Sequence, residues 1–263
     1  MRLQSQKMSV LGNNIANSTS IAYKGGGMSF IDTYRGFTGQ FSNGNVKNVG
    51  NGIKIGNLYS DWTNGSVKET GLANNMAISG DGFFHVMGPD GVTHNYTRAG
   101  EFSLVETSTV GTYELMRPDG SVLMGTDDGG TTRSEIHITG FPDSWAVGTD
   151  GTITVTGSSA VSVATPSASP GSVQISMANF SNPDGLVRED NGLYSATIEA
   201  GTSLGLAESS GIGSITQGAL EMSNVDLVNE FTELVLTQRA YSANSKTITT
   251  ASEMLQEVLN LKR

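Results

Sequence analysis

Residues 219–263, ALEMSNVDLVNEFTELVLTQRAYSANSKTITTASEMLQEVLNLKR, hold neither glycine nor proline, although the chain carries 34 glycines and 6 prolines in 263 residues. These two residues are the strongest interrupters of a helix, so 45 consecutive positions without either predict one long C-terminal helix. Ser223 followed three residues later by Asp226 has the spacing of a capping box. Asp226, Glu230 and Glu233 put negative charge near the helix start, and Lys262 and Arg263 close its end. Leu227, Phe231, Leu234, Gln238, Tyr241, Ser245, Ile248, Ser252, Leu255 and Leu259 recur at alternating steps of four and three, a heptad seam with three polar interruptions. At 1.5 Å per residue the helix would run about 55 to 60 Å, longer than a small domain is wide. Part of the seam is therefore expected to pack on something outside a compact core.

Working outward, the other end of the chain offers a partner. Met1 to Asn17 holds one glycine, Gly12, good helix formers in Leu3, Gln4, Gln6 and Lys7, and apolar Met1, Met8, Leu11 and Ile15 on one face. Between the two helices lie short runs rich in Val, Ile and Thr, punctuated by Asp-Gly pairs at 81/82, 90/91, 119/120, 128/129, 150/151 and 184/185, which are turn signals. Strands are expected at 53–58, 83–87, 94–97, 112–116, 121–124, 135–139, 152–156, 161–163 and 173–177. The expected fold class is α+β, with paired, coiled-coil-like terminal helices bracketing a mainly antiparallel β domain. Its expected divisions are a discontinuous helical assembly domain (1–24 with 219–263), an extended connector (25–75), a β domain (76–200) and a return linker (201–218). Within the β domain, the Ser-, Ala-, Thr- and Pro-rich stretch 157–172 reads as surface loop or edge strand.

Composition removes several classes of function. The net charge is −10, and the 15 Lys and Arg form no run, which argues against a nucleic-acid surface. With no cysteine there is no disulfide, thiolate catalysis or Cys-based metal site. No apolar run approaches the roughly 20 residues of a membrane-spanning helix, and no cleavable signal is recognisable.

The residues that usually carry chemistry do not assemble into a catalytic pattern. His85, His94 and His137 are far apart, and none forms a helical i, i+4 pair with a carboxylate; they read as polar residues on half-exposed strands, and no metal site is expected. Gly201-Thr202-Ser203-Leu204-Gly205 has the form of a nucleophile elbow, but no histidine follows Ser203 to complete a triad in the hydrolase order. Phosphate-loop and dinucleotide fingerprints are missing, and Asp127-Asp128 before Gly129-Gly130 reads as a solvated acidic turn. No catalytic residue and no cofactor are expected, and the chain reads as a non-enzyme. Phe83 and Phe84 follow a tight turn and point to opposite faces of one strand, one into the core and one against a second layer. Exposed aromatics of this kind can stack on sugars, so a carbohydrate-binding β module is the rival from another functional class.

Three groups of residues carry a resemblance. Gly12-Asn13-Asn14-Ile15-Ala16-Asn17 followed by Tyr23-Lys24 resembles the N-terminal signature of the bacterial flagellar rod and hook protein family. Ser79-Gly80-Asp81-Gly82-Phe83-Phe84 with Tyr96-Thr97-Arg98-Ala99-Gly100-Glu101-Phe102 resembles the entry to that family's β domain. Gly218 to Leu227 (with Asn224), Gln238-Arg239-Ala240-Tyr241, Asn244-Ser245-Lys246 and Met254-Leu255 resemble its C-terminal segment.

The resemblance implies that terminal helices of many copies pair in an inner tube, through Met8, Leu11 and Ile15 of the first helix and Leu227, Phe231, Leu234, Tyr241, Ile248, Leu255 and Leu259 of the last, with β domains outside. It also implies export by the flagellar type III apparatus without a cleaved signal, an extracellular location in the basal body and hook of the flagellum, and neighbours among rod, hook-cap and hook–filament junction proteins. No nucleic acid is expected as a partner, and the chain is expected not to span a membrane. Only eleven residues precede the Gly12 motif, where the family usually carries more helix, which leaves open a longer N-terminus. The chain is short for a hook protein with an additional outer domain, so hook and distal rod both remain. The ending Asn260-Leu261-Lys262-Arg263, the run Lys246-Thr247-Ile248-Thr249-Thr250 and the small polar surface of 157–172 tilt the expectation to the hook, a torque-transmitting tube that bends.

Overall fold

The computed structural model describes residues 1–40, 46–107, 109–127, 133–140, 142, 144–156, 160–163, 172–209 and 211–261. The Asp128-Gly129 turn, most of 157–172, and Lys262 and Arg263 lie outside the described residues. The chain divides into two compact units. One comprises Met1–Thr19, Lys24–Asp61 and Val225–Arg263; the other comprises Ser20–Tyr23 and Trp62–Asn224.

The first unit holds two helices and a ribbon. Helix α1 is Arg2–Ala16 and helix α2 is Leu227–Leu261, 15 and 35 residues long. They are about 22 and 52 Å in length. The expected start of the long helix is corrected: Asp226, not Ser223, caps it. Asp226 Oδ1 accepts hydrogen bonds from the backbone N–H of Val228 at 2.9 Å and of Asn229 at 3.5 Å, satisfying two of the free donors of the first turn. Ala219–Glu221 is instead a strand, paired with Val67–Glu69. Freedom from helix breakers permits a helix there, but the cross-chain pairing overrides it.

Residues 25–75, expected as an extended connector, are largely ordered as strand. Gly26–Gln40 pairs antiparallel with Val46–Ser60, from Gly26↔Ser60 to Met28↔Leu58 and, past a register shift, from Phe30↔Ile55 to Asp32↔Ile53. The strand expected at 53–58 lies inside Val46–Ser60, while the rest of the ribbon was not legible because it exposes residues on both faces. Ile31, Ile53 and Leu58 are exposed, so the alternation that marks a half-buried strand is lost.

The second unit is antiparallel β throughout its described pairings. Among the described residues its main sheet has twelve strands. Eight form a continuous path: Ala160–Val163, Ser134–Thr139, Thr112–Met116, Val122–Thr126, Phe83–Met87, His94–Thr97, Leu193–Ala196 and Leu186–Arg188. Three of the Asp-Gly pairs sit at hairpin turns, with Gly91, Gly120 and Gly151 at positive φ of 67°, 85° and 79°. The stretch expected as a return linker is part of this unit. Thr202–Gly205 pairs with Met177–Phe180, and Ser214–Gln217 pairs with Met76–Ser79. Ala207, Ile212 and Ile215 enter the main core beside Met76, Phe84 and Met177. The glycine and serine content that suggests a linker is what allows these tight crossings: a Cβ on Gly213 would lie 2.2 Å from the Ser79 carbonyl oxygen.

Phe84 lies in that core and Phe83 in a second apolar cluster with Tyr96, Phe180 and Tyr194, the two faces expected of adjacent residues on a strand. Both rings are buried, so neither offers a face on which a sugar could stack. His85 is also buried, which corrects the expectation of a half-exposed position. It bonds Ser176 Oγ at 3.2 Å and His94 Nδ1 at 3.1 Å and stacks on Tyr96.

Candidate assembly surface

Asn14 is where the first unit is tied together. Its side-chain amide donates to the Gly26 carbonyl at 2.8 Å while its Oδ1 accepts the Gly26 N–H at 2.9 Å, so the side chain pairs with the ribbon's first residue as a neighbouring strand would. The same amide reaches Glu230 Oε1 on α2 at 3.2 Å. One buried side chain therefore joins α1, the ribbon and α2. Burial holds the Glu230 carboxyl above its usual range, offset in part by this bond. Asn17 caps the end of α1 by bonding back to Asn13, through the carbonyl at 3.0 Å and Oδ1 at 2.6 Å. Gly12 and Asn13 are exposed, and a Cβ on Gly12 would meet nothing within 4 Å.

The two helices run antiparallel. Asn14 meets Glu230 near one end, Lys7 bonds Glu233 at 2.6 Å, and Gln4 accepts from Asn244 at 2.9 Å near the other. On α1 the packed face contains Leu11, which is buried, with Met8 and Ile15 partly so. On α2 the shielded positions are Glu230, Leu234, Thr237, Tyr241 and Ser245. The expected seam is thus divided. Leu234 and Tyr241 turn toward α1, whereas Leu227, Phe231, Ile248, Leu255 and Leu259 are exposed.

Beyond Ser245 every described residue of α2 is exposed. Ile248 is 59% exposed, Leu255 66%, Val258 63% and Leu259 67%. An isolated helix covered by nothing has little to hold it, because most helical stability in proteins comes from packing an apolar face. A run of large exposed apolar side chains marks an interaction surface. Gln238 and Arg239 are exposed on the same helix.

The other motif residues meet in the β unit. Arg98 is 3% exposed and donates to the Gly80 carbonyl at 2.9 Å, to Asn64 Oδ1 at 2.7 Å and to Glu221 Oε2 at 3.2 Å. Its guanidinium lies 5.3 Å from the centre of the Phe83 ring. Glu221, 1% exposed, also accepts the Gly65 N–H. The Asp81 carbonyl accepts from Gly213, and Gly80 and Gly82 have φ of 113° and 125°, values that L side chains rarely adopt. Asn224 donates to Thr63 at 3.1 Å. Sequence segments separated by more than a hundred residues thus close one joint around a buried ion pair. Their spacing gave no sign of it.

Comparison with known proteins decides the family. The chain is 35% identical to the flagellar basal-body rod protein FlgG of Bacillus subtilis, over 98% of this chain and 94% of that protein. It is 32% identical to FlgG of Caulobacter vibrioides, over 100% of this chain and 96% of the relative. The chain belongs to the flagellar rod and hook protein family. Residues 216–261 match the family model described as flagellar basal body rod FlgEFG protein C-terminal, and residues 77–155 match the flagellar hook protein FlgE/F/G D1 domain. Similarity to the Caulobacter hook protein FlgE is higher but local, 52% over 91 residues, which is 34% of this chain and 15% of that protein. The protein is a structural component of the bacterial flagellum, in a family that polymerises in the basal body and hook. Among the described residues, no helix is long and apolar enough to cross a membrane.

Proposed function

We propose that this chain is a distal rod subunit of the flagellar basal body, polymerising into a straight tube that carries motor torque outward. The observation behind this reading is the span of the similarity. Likeness to rod proteins runs over nearly the whole length of both chains, whereas likeness to a hook protein ends after 91 residues. The expectation of a hook, drawn from the last residues, the run Lys246 to Thr250 and the polar stretch at 157–172, gives way to the rod alternative. Those features lie in short pieces of α2 and its end and in residues largely outside the described ones, while the rod likeness extends through both units.

The exposed stripe of α2, Phe231, Ile248, Leu255 and Leu259 with Leu227, is the proposed contact with helices of neighbouring copies. Coiled-coil packing belongs to those contacts between copies. Leu234 and Tyr241, turned to α1, hold the helical unit together instead. Self-association is then the principal interaction, with other rod subunits as neighbours and export in an unfolded state. The hook-cap and hook–filament junction partners expected with a hook drop away.

Basal bodies purified from a strain deleted for this gene test the assignment. Loss of a rod subunit leaves particles with a shortened rod and no hook. Full-length rods lacking only the hook would assign the chain to the hook.

A further inference from the structure

We infer that Glu114, Glu135 and His137 form a binding site for one zinc-class divalent cation on the outer face of the β sheet. Two features of strand geometry create it. Glu135 and His137 are two apart on Ser134–Thr139, which puts both side chains on one face, opposite the buried Ile136 and Ile138. Glu114 stands directly across from His137 in the register of the neighbouring strand Thr112–Met116. The absence of helical i, i+4 pairs, which argues against a metal at the sequence level, says nothing about this strand arrangement.

The distances suit a metal. His137 Nε2 lies 3.0 Å from Glu114 Oε1 and 3.8 Å from Glu135 Oε2, and one donor atom from each residue falls within 4.8 Å of the others. Tetrahedral zinc, with bonds of about 2.0 to 2.2 Å, places its ligand atoms about 3.3 to 3.6 Å apart, so small side-chain rotations seat the ion. Charge agrees too. One ring nitrogen faces two carboxylates; its single proton can serve one of them, whereas a divalent cation serves both and cancels their charge. Without an ion, His137 Nε2 faces Glu114 at 3.0 Å and Glu135 at the longer 3.8 Å, so its one proton hydrogen-bonds the first carboxylate and not the second.

Access also fits, because Glu135 and His137 keep a little over a quarter of their side-chain surface in solvent while Glu114 is nearly buried. The ion can enter, and a water can complete its coordination. Nitrogen among only three protein ligands favours zinc over magnesium or calcium, which take six or more oxygens.

Titration of the full chain with zinc chloride, followed calorimetrically, is expected to show one saturable equivalent, unaffected by excess magnesium. His137→Gln and Glu114→Gln should each weaken it by at least about tenfold, since loss of even an outer contact to a ligand costs this much. His94→Gln, which disrupts the other histidine pair, should leave it intact. Cobalt in place of zinc should give visible tetrahedral bands that His137→Gln abolishes. If a buried substitution impairs folding, the part-exposed Glu135→Gln decides in its place. The inference is overturned by the absence of a saturable site, by a site that survives these ligand substitutions, or by one lost only with His94→Gln.

Discussion

Arg98 is buried with its charge, and that is tolerable only because Glu221, the Gly80 carbonyl and Asn64 surround it. A buried ion pair of this kind is expensive to break from one side, as the remaining charge is left in a poor solvent. Arg98→Met alone is expected to destabilise the β unit by about 3 to 5 kcal/mol, and Arg98→Met with Glu221→Leu by much less. Denaturant unfolding of the two variants checks this, and equal losses would mean that the pair's charge is not what matters. Neither partner was recognisable in the sequence as half of a pair: 123 positions separate them, and each alone reads as an ordinary surface charge.

His85 gives the residue-scale pH dependence. Burial, then the neighbouring His94 and Arg133, hold its pKa down to about 3 from an ordinary 6.5. The folded chain keeps the ring neutral while the unfolded chain takes up a proton below pH 6.5, so the unfolded state binds more protons in that window. Its contribution is therefore fully present above pH 6.5 and is lost progressively as pH falls toward 3. His85→Gln is expected to flatten the melting temperature against pH between 6.5 and 3 relative to the parent chain. An unchanged slope would place the proton uptake elsewhere.

At the scale of elements, helix α2 has two halves with different needs. Leu234 packs toward α1, so Leu234→Asp is expected to cost about 1 to 3 kcal/mol in the isolated chain. Leu255 faces solvent, so Leu255→Asp should change monomer stability by no more than about 0.5 kcal/mol and yet stop polymerisation. Melting and sedimentation of both variants separate the two effects; normal polymers from Leu255→Asp would place the contact on another face. The heptad spacing was legible because helical periodicity is local. Which seam residues face α1 was not, since that depends on the Asn14 joint that sets how the two helices meet. The same contrast holds among strands. Phe83–Met87, His94–Thr97 and Thr112–Met116 have the bounds expected from β-branched and aromatic runs between turn signals. Thr202–Gly205 and Ser214–Gln217, each with a single large apolar residue and so no alternation to read, are set as strands by partners outside their own segments.

At the scale of the whole molecule, the α+β class and the family were readable from one sequence, because motif residues at both ends and in the middle kept their order. The choice between rod and hook was not, since both share the helices and the entry to the β domain, and the proposal of a rod rests on the span of similarity to whole relatives. The central claim is that this chain builds the rod through the stripe left bare on α2. The most direct measurement is an electron cryomicroscopy map of native basal bodies in which the chain is traced. The account predicts that it lies in the straight rod, with Ile248, Leu255 and Leu259 covered by helices of adjacent copies; finding it in the curved hook, or finding that stripe facing water in the polymer, would contradict it.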